Sequence, residues 1–174
     1  MQIDIATPAD APGIASVHVR AWQVAYAPML DPAYLAGLSI DERAAQWREI
    51  LAGQASETRV ARAGARVLGF VSHGRCRDPG APRCRGEIWA LYVDPHAWGQ
   101  GAGKALVQTA VQALGAAGHS AVSLWVLADN ARGTAFYAAC GFARVPGSEQ
   151  YFELGGRQVQ EVKYLRPLDG APAA

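Results

Sequence analysis

One stretch constrains the fold of this chain more than any other: Gly86 to Leu106, GEIWALYVDPHAWGQGAGKAL. Its first half, Ile88 to Val93, is an apolar run rich in aromatic and β-branched residues, which reads as a strand. Asp94-Pro95 closes it, because proline cannot donate to a ladder and restricts the residue before it. Trp98-Gly99-Gln100-Gly101-Ala102-Gly103-Lys104 follows, and after it an amphipathic helical pattern. The order is strand, turn, glycine-rich loop, helix. Glycines let successive backbone N–H groups converge, and a helix start adds unpaired donors and partial positive charge. The combination is an anion site, most often for phosphate.

The rest of the chain limits what such a site serves. With 174 residues, 51% hydrophobic and 18% charged, the chain has enough material for one domain with a sizeable core. A net charge of +1 gives no bulk attraction for nucleic acid or an anionic membrane. No apolar run approaches membrane-spanning length. The start, MQIDIATPAD, lacks the basic-then-apolar pattern of a signal peptide. Three cysteines do not make a disulfide framework in a chain this long. A cytoplasmic protein is expected.

Gln2 to Ala6 alternates as a first strand, and Thr7-Pro8-Ala9-Asp10 signals a turn and a helix start. Ile14, Val17, His18, Ala21, Trp22 and Ala25 recur at helical spacing, predicting a helix over 11–25 that ends before Pro28. Asp31-Pro32 opens a short helical turn over 30–38. Ser39 or Asp41 caps the next helix, over 41–52, with Gly53 as its stop. Segments 58–63, 66–74 and 87–93 predict an antiparallel meander, interrupted by the Pro- and Gly-rich loop 77–83. His73, Cys76 and Cys84 flank that loop. Their spacing matches no common zinc pattern and lacks an evident fourth ligand, so two reduced cysteines facing each other across a hairpin is the plainer reading. The helix after the glycine loop ends at Gly115 and Gly118. Ala121 to Leu127 is a strand, Asn130 caps a helix through Ala139, and Gly141 follows it. Strands over 142–145, 151–154 and 158–165 finish the pattern, with a turn at Gly155-Gly156. The chain shows no internal repeat and no linker, which predicts a single domain over 1–166 and a frayed tail over 167–174. The fold class expected is a mixed, largely antiparallel sheet with helices on both faces, not a doubly wound nucleotide fold.

Three phosphate-loop patterns compare differently with the loop. A P-loop requires glycine where Trp98 stands and a hydroxyl where Ala105 stands. A dinucleotide fingerprint requires a third glycine where Lys104 stands. LYVDPHAWGQGAGKAL resembles the acyl-coenzyme A loop of the GNAT superfamily of N-acetyltransferases, in which R/Q-x-x-G-x-G/A is usual. The later run Asn130-Ala131-Arg132-Gly133-Thr134-Ala135-Phe136-Tyr137, then Gly141-Phe142, is similar to that family's N-x-R-A-x-x-F-Y-x-x-x-G-F helix. The resemblance covers roughly residues 58–165. Two departures stand out: Trp98 replaces the usual Arg or Gln, and Gly133 replaces a usual alanine.

The resemblance implies a GNAT fold and acetyl-CoA as cofactor. Pyrophosphate would be held by the backbone of Trp98, Gly99, Gln100, Gly101, Ala102, Gly103 and Lys104, with Trp98 packed against the loop or the cofactor's edge. Lys104 in a first helical turn is unfavourable for the dipole, a mismatch that a phosphate partner relieves. Leu91 and Val93 would pair with pantetheine as a pseudo-strand, and a backbone N–H near Leu91 or Tyr92 would stabilise the oxyanion, on a strand that splays from its neighbour. Asn130 caps its helix and touches pantetheine; Arg132 is either solvated or near the phosphates. Tyr137 matches the family's general acid. Glu87 is the base candidate, as the sole carboxylate of its strand and, by alternation, on the face of Trp89 and Leu91. A water chain is the other base candidate, and His73 comes after both. Tyr26, His73, Trp125 and Tyr151 are candidate substrate contacts, whereas Trp22 reads as a core aromatic. The expected reaction is acetyl transfer to the primary amine of a small molecule. A non-catalytic acyl-CoA sensor and a protein N-terminal or lysine acetyltransferase are the alternatives. The resemblance also allows a homodimer. No metal is implied.

Overall fold

The computed structural model describes residues 1–53 and 55–168. The first strand, β1 (Gln2–Ile5), leads into a single 3-10 turn, Pro8–Asp10. There the Asp10 carboxylate accepts from the Thr7 backbone N–H at 2.8 Å and from Arg62 Nη2 at 2.8 Å. With the Thr7 side chain it forms a capping box on the 3-10 turn, and α1 (Ala11–Ala25) follows directly. The short α2 (Pro32–Ala36) is capped by Asp31, which accepts from the N–H groups of Ala33 and Tyr34. Of the two caps considered for α3 (Ile40–Ala52), Ser39 is the one used. The remaining elements are β2 (Glu57–Ala63), β3 (Arg66–Arg75), β4 (Arg85–Val93), α4 (Ala102–Ala116), β5 (Ala121–Leu127), α5 (Ala131–Ala139), β6 (Ala143–Arg144), β7 (Gln150–Leu154) and β8 (Arg157–Pro167). Gly115 lies inside α4, and Gly118, at φ +85°, ends it. Pro167 closes β8, and Leu168 donates its N–H to the Ser120 carbonyl. The rest of the expected tail, 169–174, lies outside the described residues.

The sheet runs β1-β2-β3-β4-β5-β8-β6, with β7 paired to β8. Every pairing is antiparallel except β4 with β5. Alternation along the strands supplies two cores. Val60 and Phe70 pack with Ile14, Val17 and Trp47 under α1 and α3. Their neighbours Ala61 and Val71 pack with Leu106, Val107 and Ala110 of α4 on the opposite face. Among the described residues, no helix is long and apolar enough to cross a membrane.

Two irregularities in β4 shape the centre of the molecule. The strand pairs with β5 only from Arg85 to Glu87, against Ala121 to Ser123. Beyond that point it leaves β5, so the splay implied by the resemblance is present. Second, Ser72 pairs with Ala90 but His73 with Ile88, which leaves Trp89 as an extra, bulged residue. The bulge overturns the expected alternation. Ile88, Leu91 and Val93 face the α4 core, whereas Ala90 and Tyr92 face the α1 core. A Cβ on Gly86 would meet Leu114 of α4 at 2.8 Å. Glu87, between Gly86 and Ile88, therefore shares a side with Ala90 and Tyr92, not with Leu91.

Candidate active site

Asp94 fixes the turn between β4 and the glycine loop. It is fully buried, and it accepts from His96 N–H at 3.1 Å, Arg20 Nη2 at 2.8 Å and Arg66 Nη2 at 3.1 Å. Those bonds hold its carboxyl below the usual range against the opposing effect of burial. They also tie α1 and β3 to the loop. Gly99 (φ +76°) and Gly101 (φ +86°) adopt left-handed conformations that other residues rarely adopt. No atom lies within 4 Å of where their side chains would project. Gly101 is the N-cap of α4 and no side chain caps that helix, so its first-turn N–H groups face an open concavity. Gly103 has a different purpose: a Cβ there would come within 3.2 Å of the Phe136 ring, so α4 and α5 meet closely at that point.

A cleft of about 620 Å³ runs from this loop through the splay between β4 and β5. Trp98, Gly99, Gly101, Ala102, Gly103 and Lys104 line its loop end, and Leu91, Tyr92 and Val93 line the strand wall. Asn130, Arg132 and Tyr137 enter from α5. Asn130 caps α5 by accepting from Gly133 N–H at 2.9 Å. A Cβ at Gly133 would fall 2.7 Å from the Asn130 amide nitrogen, which accounts for glycine there. Trp98 turns into the loop, donating from Nε1 to the Val93 carbonyl at 2.8 Å. Arg132 lies over its ring, 4.2 Å from the centroid. Gln100 does not line the cleft; its side chain donates to the His96 carbonyl. Burial pushes the Tyr137 phenol well above its usual pKa, with Tyr92 and Cys140 adding to the shift, so it stays protonated at neutral pH.

The opposite end is aromatic. Tyr26 and Trp125 both line it, joined by Trp22, Trp89 and Phe152. Tyr26 and Tyr92 bring their hydroxyls to 3.5 Å, and burial raises the pKa of both. The β7–β8 hairpin leans over this end. Its turn residue Gly155, at φ +56°, sits so close to α2 that a Cβ would fall 2.5 Å from the Tyr34 ring. Tyr151 is 66% exposed on the hairpin and stands outside the cleft, accepting from Gln160 Nε2; its neighbour Phe152 lines the cleft instead. His73 is also outside, buried on β3 with Glu57 3.4 Å away, and burial lowers its pKa.

Glu87 is 2% exposed and not part of the cleft wall. Its carboxylate accepts from the Arg77 backbone N–H at 2.8 Å, from Nε at 3.0 Å and from Nη2. Arg77, stacked on Trp89, lines the cleft in its place. Cys76, Asp78 and Glu87 bring ligand atoms within 4.8 Å of one another. Asp78 is already paired with Lys163 at 2.7 Å, as Glu87 is with Arg77. Cys76, Cys84 and Cys140 are all free thiols. Sequence reasoning missed Glu161 of β8, which lines the cleft. Its signal was available: like Glu87, it is the sole carboxylate of its strand.

The family model for the acetyltransferase (GNAT) family matches residues 19–142, and the chain belongs to that family. An uncharacterised N-acetyltransferase of Bacillus subtilis, YuaI, is 30% identical over 158 residues, covering 88% of this chain and 85% of that protein. The mycothiol acetyltransferase of Beutenbergia cavernae is 46% identical over 66 residues, which is 38% of this chain and 22% of that protein. The structure of yncA from Salmonella typhimurium, determined with acetyl-CoA, superposes with a TM-score of 0.75 at 22% identity, covering 100% of this chain and 97% of the other.

Proposed function

We propose that this enzyme transfers the acetyl group of acetyl-CoA to the primary amine of a small molecule. The observation that carries the reading is the continuity of one cleft from an anion-binding helix start, past a buried phenol, to an aromatic-walled end. The left-handed Gly99 and Gly101, the uncapped start of α4, Lys104 and Arg132 suit a diphosphate. The edge of β4 beyond Glu87, free of β5, suits an extended amide-bearing arm. Acetyl-CoA supplies an activated acetyl thioester. Tyr137 holds a proton for the departing sulfur. Glu87 is bonded to Arg77 and lies off the cleft wall, so the amine's proton leaves to a water-accessible group of the cleft rather than to Glu87 itself. Phe152 and Leu154 of the hairpin wall the acceptor end, which favours a small molecule over an extended peptide.

Thermal unfolding with millimolar acetyl-CoA, followed by an amine panel monitored for free thiol, tests the reading. A raised Tm and amine-dependent thiol release are expected. A raised Tm without thiol release from any amine would identify a binding module instead. Tyr137→Phe should lower kcat by about 100-fold, as loss of a general acid does, while leaving the Tm rise intact. Unchanged turnover would remove Tyr137 from the acid role.

A further inference from the structure

The acceptor end of the cleft is one cation short. Asp78, Glu87 and Glu161 lie close enough that both of the others raise the pKa of Glu161. Asp78 pairs with Lys163 and accepts from the Trp125 indole N–H at 3.0 Å, while Glu87 is bonded to Arg77. Each cation also lies over an indole at 4.6 Å, Arg77 on Trp89 and Lys163 on Trp125. Both cations are thus held by a carboxylate and a ring. Glu161 lines the cleft, and among the described residues no ion pair or side-chain hydrogen bond reaches its carboxylate. Burial is the largest influence raising its pKa. A carboxylate in that position is stabilised by a cation that arrives with the ligand.

Resting on the acetyl-transfer reading, we infer that the acceptor is a primary alkylammonium carried on an aromatic or similarly bulky apolar group. Its ammonium sits on Glu161 and its apolar body lies against Trp22, Tyr26, Trp89, Trp125 and Phe152. Those rings offer large apolar area and faces that attract a cation. A hydroxyl-rich body would surrender its water to walls with few groups to replace it. Glu161 takes one proton from the ammonium, and the freed nitrogen lone pair forms the amide bond as the thioester C–S bond breaks. The sulfur takes the Tyr137 proton, Tyr137 regains one from the nitrogen through water, and Glu161 releases its own to solvent.

Calorimetric titration of the full chain tests this with four probes: 2-phenylethylamine, ethylamine, 2-phenylethanol and glucosamine, each with saturating coenzyme A. The first should bind at least tenfold more tightly than the other three. Glu161→Gln should abolish the preference for 2-phenylethylamine over 2-phenylethanol, and Glu161→Asp should retain part of it. Both variants should keep the wild-type Tm rise with coenzyme A, which also reports that they fold. Equal binding of amine and alcohol by the wild type, tighter binding of glucosamine, or a preference surviving in Glu161→Gln would overturn the inference. Any of these with the Tm rise intact leaves the acetyl-transfer reading in place. A wild type without that Tm rise would sink the broader reading itself.

Discussion

At the scale of single residues, the replacement of the usual loop Arg or Gln by Trp98 is answered by Arg132. The indole closes the loop through its bond to Val93 and carries a guanidinium on its face. A cation held over a ring at a cleft wall is already oriented, so little freedom is lost when an anion joins it. Arg132→Ala should therefore weaken coenzyme A binding about tenfold, the scale of one charge-assisted hydrogen bond. In a Trp98→Arg background the same substitution should cost less than about threefold, because the new side chain takes over the contact. Titration of the four proteins with coenzyme A measures both effects, and equal losses in the two backgrounds would separate the residues. Trp98, Arg132 and Tyr137 were legible because each sits at a fixed place in a motif. Their partnership was not, since nothing in a linear pattern brings the start of one helix against the loop before another. Glu161 was passed over for a related reason: its meaning depends on Arg77 and Lys163 being committed elsewhere.

At the scale of elements, most boundaries followed from punctuation. Asp31, Ser39 and Asn130 each accept N–H bonds at the helix starts they signal, and the glycines at 118 and 141 take the left-handed conformations that end helices. What local sequence does not encode is how elements lean on one another. The β7–β8 hairpin could be recognised from Gly155-Gly156, yet its contact with α2 could not. That contact makes Gly155 exacting: any side chain there combines a positive φ with the Tyr34 ring. Gly155→Ala should destabilise the protein by about 1–3 kcal/mol. It should also raise KM for the amine more than that for acetyl-CoA, since the hairpin covers only the acceptor end. Urea unfolding and steady-state kinetics check the two parts; equal changes in both KM values would count against the placement.

At the scale of the whole molecule, stability is tied to pH through buried groups in separate cores. His18 stacks on Tyr92 and accepts from Trp47 Nε1 at 3.2 Å. Burial, then the charge of Arg43, lowers its pKa from 6.5 to about 3. Because the folded value lies below the unfolded one, the neutral ring's contribution is complete above pH 6.5 and is lost as pH falls towards 3. The slope should approach roughly 1.4 kcal/mol per pH unit below pH 6. His73, also shifted down by burial, adds to it. The depressed carboxyls of Asp10, Asp78 and Asp94 act only lower, below their ordinary value near 3.8. Urea unfolding of His18→Gln should show a flatter pH dependence between 6 and 4.5 than the wild type; an unchanged slope would mean that the ring titrates normally. The overall architecture was readable because β-to-helix order and alternation reach across the entire chain. Alternation failed at Leu68 of β3, where Ala61 pairs with Gly69 but Arg62 with Val67, and at Trp89 of β4. The Trp89 bulge shifts the phase of β4 by one residue midway along its length. One continuous segment thereby turns its side chains to a different interior before and after the slip. Deleting the single residue at 89 would leave Ile88 and Ala90 opposite His73 and Ser72 in an unbroken ladder with every remaining side chain on its present face, whereas deleting a residue elsewhere in the strand would exchange the two surfaces on one side of the gap.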